Sequence, residues 1–161
     1  MKVRGLVAGI AVVIVASTLV FAVQAPQATL QVDVSMQAPG VFDPLLNAYV
    51  LKSPGSFTWT GNVQVSAALV PGLENPAPSA DDLSRLVVRW QWLGQGVNEN
   101  QTTAAGVLTD TAVQVESRPG NSAKEQRLRV TLSGEVRING QWYTVGPNQR
   151  FDATPVPYIV K

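Results

Sequence analysis

The chain of 161 residues carries twelve Lys plus Arg against eleven Asp plus Glu, a net charge of +1, and contains no His and no Cys. That length can bury one sizeable core, and the missing residue types exclude Ser-His and Cys-His nucleophilic chemistry, imidazole or thiolate metal sites, and disulfides. Taking Lys2 and Arg4 from the twelve leaves ten basic residues against eleven acidic, so bulk positive charge is lacking and no nucleic-acid partner is expected.

The first segment bears on location. Lys2 and Arg4 precede residues 5–23, an uncharged run in which only Ser17 and Thr18 carry polar side chains. As a helix this run spans roughly 28 Å, close to the roughly 30 Å hydrocarbon thickness of a bilayer. The next basic residue after Arg4 is Lys52, so the expected topology has the N-terminus cytoplasmic and the remainder extracytoplasmic or at the cell surface. The chain divides into residues 1–25, a transmembrane anchor or signal segment, and residues 26–161, an extracytoplasmic domain. The run is longer than the 7 to 15 apolar residues of a cleaved signal, which favours an anchor. Cleavage after Ala22 stays open.

A third fate is carried by Arg4-Gly5-Leu6-Val7, immediately ahead of the apolar run. This short stretch resembles the processing site of type IV prepilins of the archaeal kind. The resemblance covers residues 2–24 and implies a cut between Gly5 and Leu6, with the apolar helix packed in the core of a surface filament. The helix-compatible stretch stops at Pro26, shorter than the usual pilin stalk.

From Leu30 the periodicity is that of strands. Leu30, Val32, Val34 and Met36 alternate with Gln31, Asp33, Ser35 and Gln37, the pattern of a half-buried strand. Residues 41–52, broken by Pro44, have no clean period and read as a loop with a short strand near 48–52. Phe57, Trp59, Val63, Val65, Ala67 and Leu69 share odd positions across Gly61, so one long strand, or two joined at a bulge, is expected with all six inward. A Pro-rich loop follows, and Ser79-Ala80-Asp81-Asp82 marks a helical turn capped by Ser79. Leu86, Val88, Trp90 and Trp92 alternate with Val87, Arg89, Gln91 and Leu93 in the next strand, whose β-branched and aromatic content favours a strand, and residues 94–103 read as a polar loop. Val107, Thr109, Thr111, Val113 and Val115 then form one face, opposite Asp110, Gln114 and Glu116.

Arg118-Pro119-Gly120-Asn121 reads as a turn between neighbouring strands. Leu128, Val130, Leu132, Val136 and Ile138 give the clearest alternation in the chain, and Asn139-Gly140 after them is a strong signal for a type I′ hairpin. In that register Val136 faces Tyr143 and Arg137 stands opposite Trp142, where a cation lies over an indole. Pro155 and Pro157 confine the last apolar run to an edge or to the start of a strand. Seven or eight strands with no long amphipathic helix predict an all-β fold, an immunoglobulin-like two-sheet sandwich preceded by one transmembrane helix.

The candidate chemistry is sparse. Asp81-Asp82 is an adjacent acidic pair whose bland role is to complement a helix dipole. Residues 98–100 offer oxygen ligands without the spacing of a calcium loop. No cofactor or metal is expected. Asn100-Gln101-Thr102 is an N-glycosylation sequon. Arg127, Arg129 and Arg137 line one strand face beside Trp142 as a candidate interaction surface, with Glu125 and Glu135 on that face to compensate them. Trp59, Trp90, Trp92 and Trp142 would form a carbohydrate platform if they faced water, and a core otherwise. Lys52-Ser53 is the one adjacent Ser-Lys pair, and neighbours on an extended chain point apart. The reading is a non-catalytic binding, accessory or assembly module held in the membrane by residues 5–23, with sheet edges available to a protein partner or another copy; the alternative is a pilin-like filament subunit.

Overall fold

The computed structural model describes residues 25–94, 101–147 and 149–161. The apolar run 5–23 and the motif at Gly5 and Leu6 lie outside them, as do residues 98–100 with Asn100. Among the described residues no helix is long and apolar enough to cross a membrane.

The regular structure of the described residues is almost all strand, in two hydrogen-bonded sheets. Its elements are β1 Gln27–Gln37, β2 Val41–Asp43, β3 Ala48–Leu51, β4 Gly55–Leu69, β5 Leu86–Trp92, β6 Gln101–Ala105, β7 Thr109–Glu116, β8 Gly120–Gln126, β9 Leu128–Ile138, β10 Gln141–Val145, β11 Gln149–Asp152 and β12 Val156–Val160, with one 3-10 turn, Asp81–Leu83. The sequence was expected to give seven or eight strands. The surplus comes from short pieces such as β2, β6 and β11, whose apolar alternation is too brief to read.

The larger sheet runs β6-β5-β9-β10-β1-β4-β7, with β11 beside β9; the smaller runs β2-β3-β12-β8. β1 joins two halves of the larger sheet. Its first residues pair in parallel with β10, Gln27 to Thr144 and Ala28 to Val145, and from Thr29 onward it pairs antiparallel with β4. The β4 layer lies face to face on β5 and β9. At Gly61 a Cβ would stand 2.7 Å from Leu128 Cδ2 and 3.0 Å from Trp90 Cζ3, so only glycine lets the layers close there.

Trp59, Trp90 and Trp92 are fully buried. Each removes about 150–250 Å² from water, worth roughly 4–6 kcal/mol before conformational entropy is charged. The smaller sheet closes one side of this core, where Trp59 meets Tyr158 of β12 edge to face at 5.5 Å.

Several expectations hold residue by residue. Leu86 and Val88 of β5, and Leu128, Val130, Leu132, Val136 and Ile138 of β9, all point into the core. Asn139 and Gly140 have φ of 50° and 81°, the double positive φ of a type I′ turn, and the register sets Tyr143 opposite Val136 and Trp142 opposite Arg137.

Others are corrected. The irregularity in β4 falls at Ser66, not at Gly61: Ala67 pairs with Gln31 and Val65 with Val32. The extra residue shifts the alternation, so Ala68 turns inward and Leu69 outward. Residues 101–103, expected in a loop, belong to β6, which pairs with β5. The turn at Arg118-Pro119 does not join neighbouring strands, because β7 lies in the larger sheet and β8 in the smaller. Of the two placements expected for the last apolar run, the start of a strand holds, with Pro155 just before β12 and Pro157 its second residue, and the edge does not, since β12 lies between β3 and β8. Pro157 is tolerated near its start because pairing with β3 begins only at Tyr158.

Candidate functional site

The largest departure from the sequence pattern is β7. Its valines face water: Val115 is 54% exposed and Val113 lies on the same outer face, while Ala112, Gln114 and Glu116 are buried. The inward polar face is satisfied by partners distant in sequence. Trp59 Nε1 donates to Gln114 Oε1 at 2.7 Å. Gln114 Nε2 donates to Glu116 Oε1 and to Tyr158 Oη at 3.2 Å, and Trp92 Nε1 donates to Asp110 Oδ2 at 2.9 Å. Lys124 of β8 completes the cluster at 3.4 Å from Glu116. Burial pushes the Tyr158 hydroxyl up, against the lowering effect of its bond from Gln114. A buried carboxylate held by an amide and an ammonium joins β7 to β8 and β12 across the two sheets, which is a structural task.

The basic stripe on β9 is charge-compensated. Arg127 meets Glu125 at 2.8 Å, Arg129 meets Asp152 at 2.8 Å, and Arg137 meets Asp82 at 2.9 Å. Asp152 also holds Arg150 at 3.0 Å, and its carboxyl is lowered by Arg150 first and Arg129 second. Ser79 and Asp82 bond reciprocally around the 3-10 turn: the Ser79 hydroxyl donates to Asp82 Oδ2 at 2.6 Å and the Ser79 amide to the same oxygen at 3.0 Å. The hydroxyl of Ser79, then Arg137, lower the Asp82 carboxyl from 3.8 to about 2. Arg127 lies just before β9 and Arg137 near its end, ten residues and at most about 33 Å of extended chain apart, so the stripe is not one patch. Its two ends do different things. Trp142 is covered by two guanidiniums, Arg85 at 4.2 Å and Arg137 at 5.5 Å from the ring centre.

Three of the four tryptophans fill the core, which removes the multi-tryptophan platform. Lys52 is exposed, whereas Ser53 Oγ is buried without a hydrogen-bond partner, so the pair diverges. Among the described residues no group of three or more acidic side chains is gathered to hold a metal ion. An open groove of about 510 Å³ runs along β8, but its cations Lys124 and Arg127 already hold Glu116 and Glu125.

One exposed apolar surface was not read from the sequence. It is the β2–β3 hairpin, where Leu45 is 95% and Val41 76% exposed, with Phe42 and Leu46 beside them. The tip is held rigidly. Asp43 Oδ1 accepts the amides of Leu45 at 2.9 Å and Leu46 at 3.3 Å, an Asx-type turn. Asn47 takes φ of 47°, and Phe42 packs edge to face on Tyr49 at 5.3 Å. The local signal that could have found it is Asp43-Pro44 followed by Asn47, turn chemistry between two short apolar runs.

No protein-family model matches the chain, and no curated protein matches it in sequence. The functional reading therefore rests on this geometry.

Proposed function

We propose that the chain is a single-pass, N-terminally anchored extracytoplasmic module, without catalytic function, that presents the β2–β3 hairpin to a protein partner. The fold is read as immunoglobulin-like in architecture, two packed β layers whose loops and edges carry the recognition. Residues 5–23 are the anchor, oriented by Lys2 and Arg4.

The observation that carries the reading is the stiff apolar tip. An isolated exposed leucine needs no explanation, but Leu45 and Leu46 together on a turn fixed by Asp43, with Phe42 exposed on the strand leading into it, form an apolar contact surface. The tip's one carboxylate is engaged by backbone amides, which favours an apolar protein surface over a charged polymer. A photocrosslinker at position 45 of the full-length protein in its native membrane should give one discrete adduct, and Phe42→Ser should remove it. Failure to form any adduct would take the hairpin out of the reading.

A further inference from the structure

The end of the sandwich at which residues 1–24 join has its own character. Pro26 is already part of the fold, since its carbonyl accepts the Thr144 amide at 2.9 Å, so only Gln24 and Ala25 separate Val23 from it. Three Cα steps reach at most about 11 Å, and the headgroup layer on each side of a bilayer is about 5–8 Å thick. A bilayer holding residues 5–23 therefore holds the level of Gln27 at its surface.

What projects past that level is mixed: the exposed Asn139-Gly140 turn and Gln141, with Asp82 on Arg137, and among them apolar or interfacial side chains. β10 runs parallel to β1 with Thr144 beside Gln27, which places Trp142 about 7 Å further toward the membrane. On the other side of β1, Leu69 pairs with Thr29, and the loop beyond it turns at the same end. Leu69 and Leu73 are both exposed there, as is Pro71, around an open hollow of about 390 Å³. The outward turn of Leu69 follows from the extra residue at Ser66.

Resting on the anchored reading above, we propose that this end is a membrane-contacting face: Leu69, Pro71, Leu73 and Trp142 seat in the headgroup layer and hold the domain upright. A tryptophan flanked by arginines is suited to that layer, the ring lying at the boundary and the guanidiniums remaining in water. Glu74, next to Leu73, keeps the contact shallow.

The chain lacks cysteine, so Leu73→Cys and Leu45→Cys each carry one environment-sensitive fluorophore in full-length protein reconstituted into phosphatidylcholine vesicles. The label at 73 should shift to the blue and be quenched by shallow spin-labelled lipid, while the label at 45 stays water-like and open to iodide. Lipid quenching of intrinsic emission should also be lost in Trp142→Phe, because the other three tryptophans are buried. Vesicles that carry the protein on flotation while position 73 behaves like position 45 would overturn the contact alone. A blue shift at 73 without lipid quenching means cover by protein, either a second copy or residues 5–23, and overturns it as well. Protein that does not float with vesicles would defeat the anchored reading and this inference together.

Discussion

Gln114 shows how one side chain can decide a local arrangement. Its amide joins Trp59, Glu116 and Tyr158 inside the core, so Gln114→Ala removes a bond from each and takes the acceptor from the buried Trp59 Nε1, while Glu116 keeps Lys124. A buried polar group left unsatisfied costs about 1–3 kcal/mol, and the destabilisation expected from urea unfolding is about 2–4 kcal/mol. The exposed pairs on β9 are worth little by comparison. Asp82 differs from them because Ser79 and Arg137 both favour its charged form. Its folded pKa lies below the unfolded one, so its contribution is complete above about pH 4 and disappears as pH falls toward 2. The gap in urea midpoint between the native chain and Asp82→Asn should accordingly be largest near pH 5 and narrow at pH 2.

At the level of elements, β7 tests whether its inversion is understood. Val115→Lys lies on the outer face of an edge strand and should change stability by no more than about 0.5 kcal/mol while reducing self-association in light scattering. Ala112→Lys puts a charge into the core and should cost about 4 kcal/mol, observed as loss of the folded fraction. At the β9–β10 turn, Gly140→Ala should cost about 1 kcal/mol in thermal unfolding, because φ there is 81°. Sequence periodicity recovers β5, β9 and the Asn139-Gly140 hairpin because one face of each is apolar and its turn is local. It inverts β7 because the residues that satisfy the inward polar face, Trp59 and Trp92, lie 55 and 18 positions away. Leu69 is misplaced for a related reason: the bulge at Ser66 arises from pairing with β1, which no local pattern encodes. The stripe of Arg127, Arg129 and Arg137 was legible as a compensated face, although the partners Asp82 and Asp152 were not. The apolar hairpin was hidden by the brevity of β2.

Across the whole molecule, two apolar surfaces are built from different elements. β1 leads from the end where residues 1–24 join to the turn before β2, and β3 then returns the chain to β4 beside Lys161, whose carbonyl accepts the Ser53 amide at 2.6 Å. The Leu69–Trp142 end lies where residues 1–24 join, and the Leu45 tip is a separate surface between β2 and β3. Two separate surfaces suit a tethered module whose partner contact is distinct from its tether. A filament subunit would place the same N-terminal run in a fibre core instead. The measurement that separates them is the first residue of the native protein, by intact mass and Edman degradation on a carbonate-washed membrane fraction and on sheared surface material. The tethered account predicts Met1, retained in the membrane. A start at Leu6 in the sheared fraction would contradict it and make the chain a pilin-like subunit.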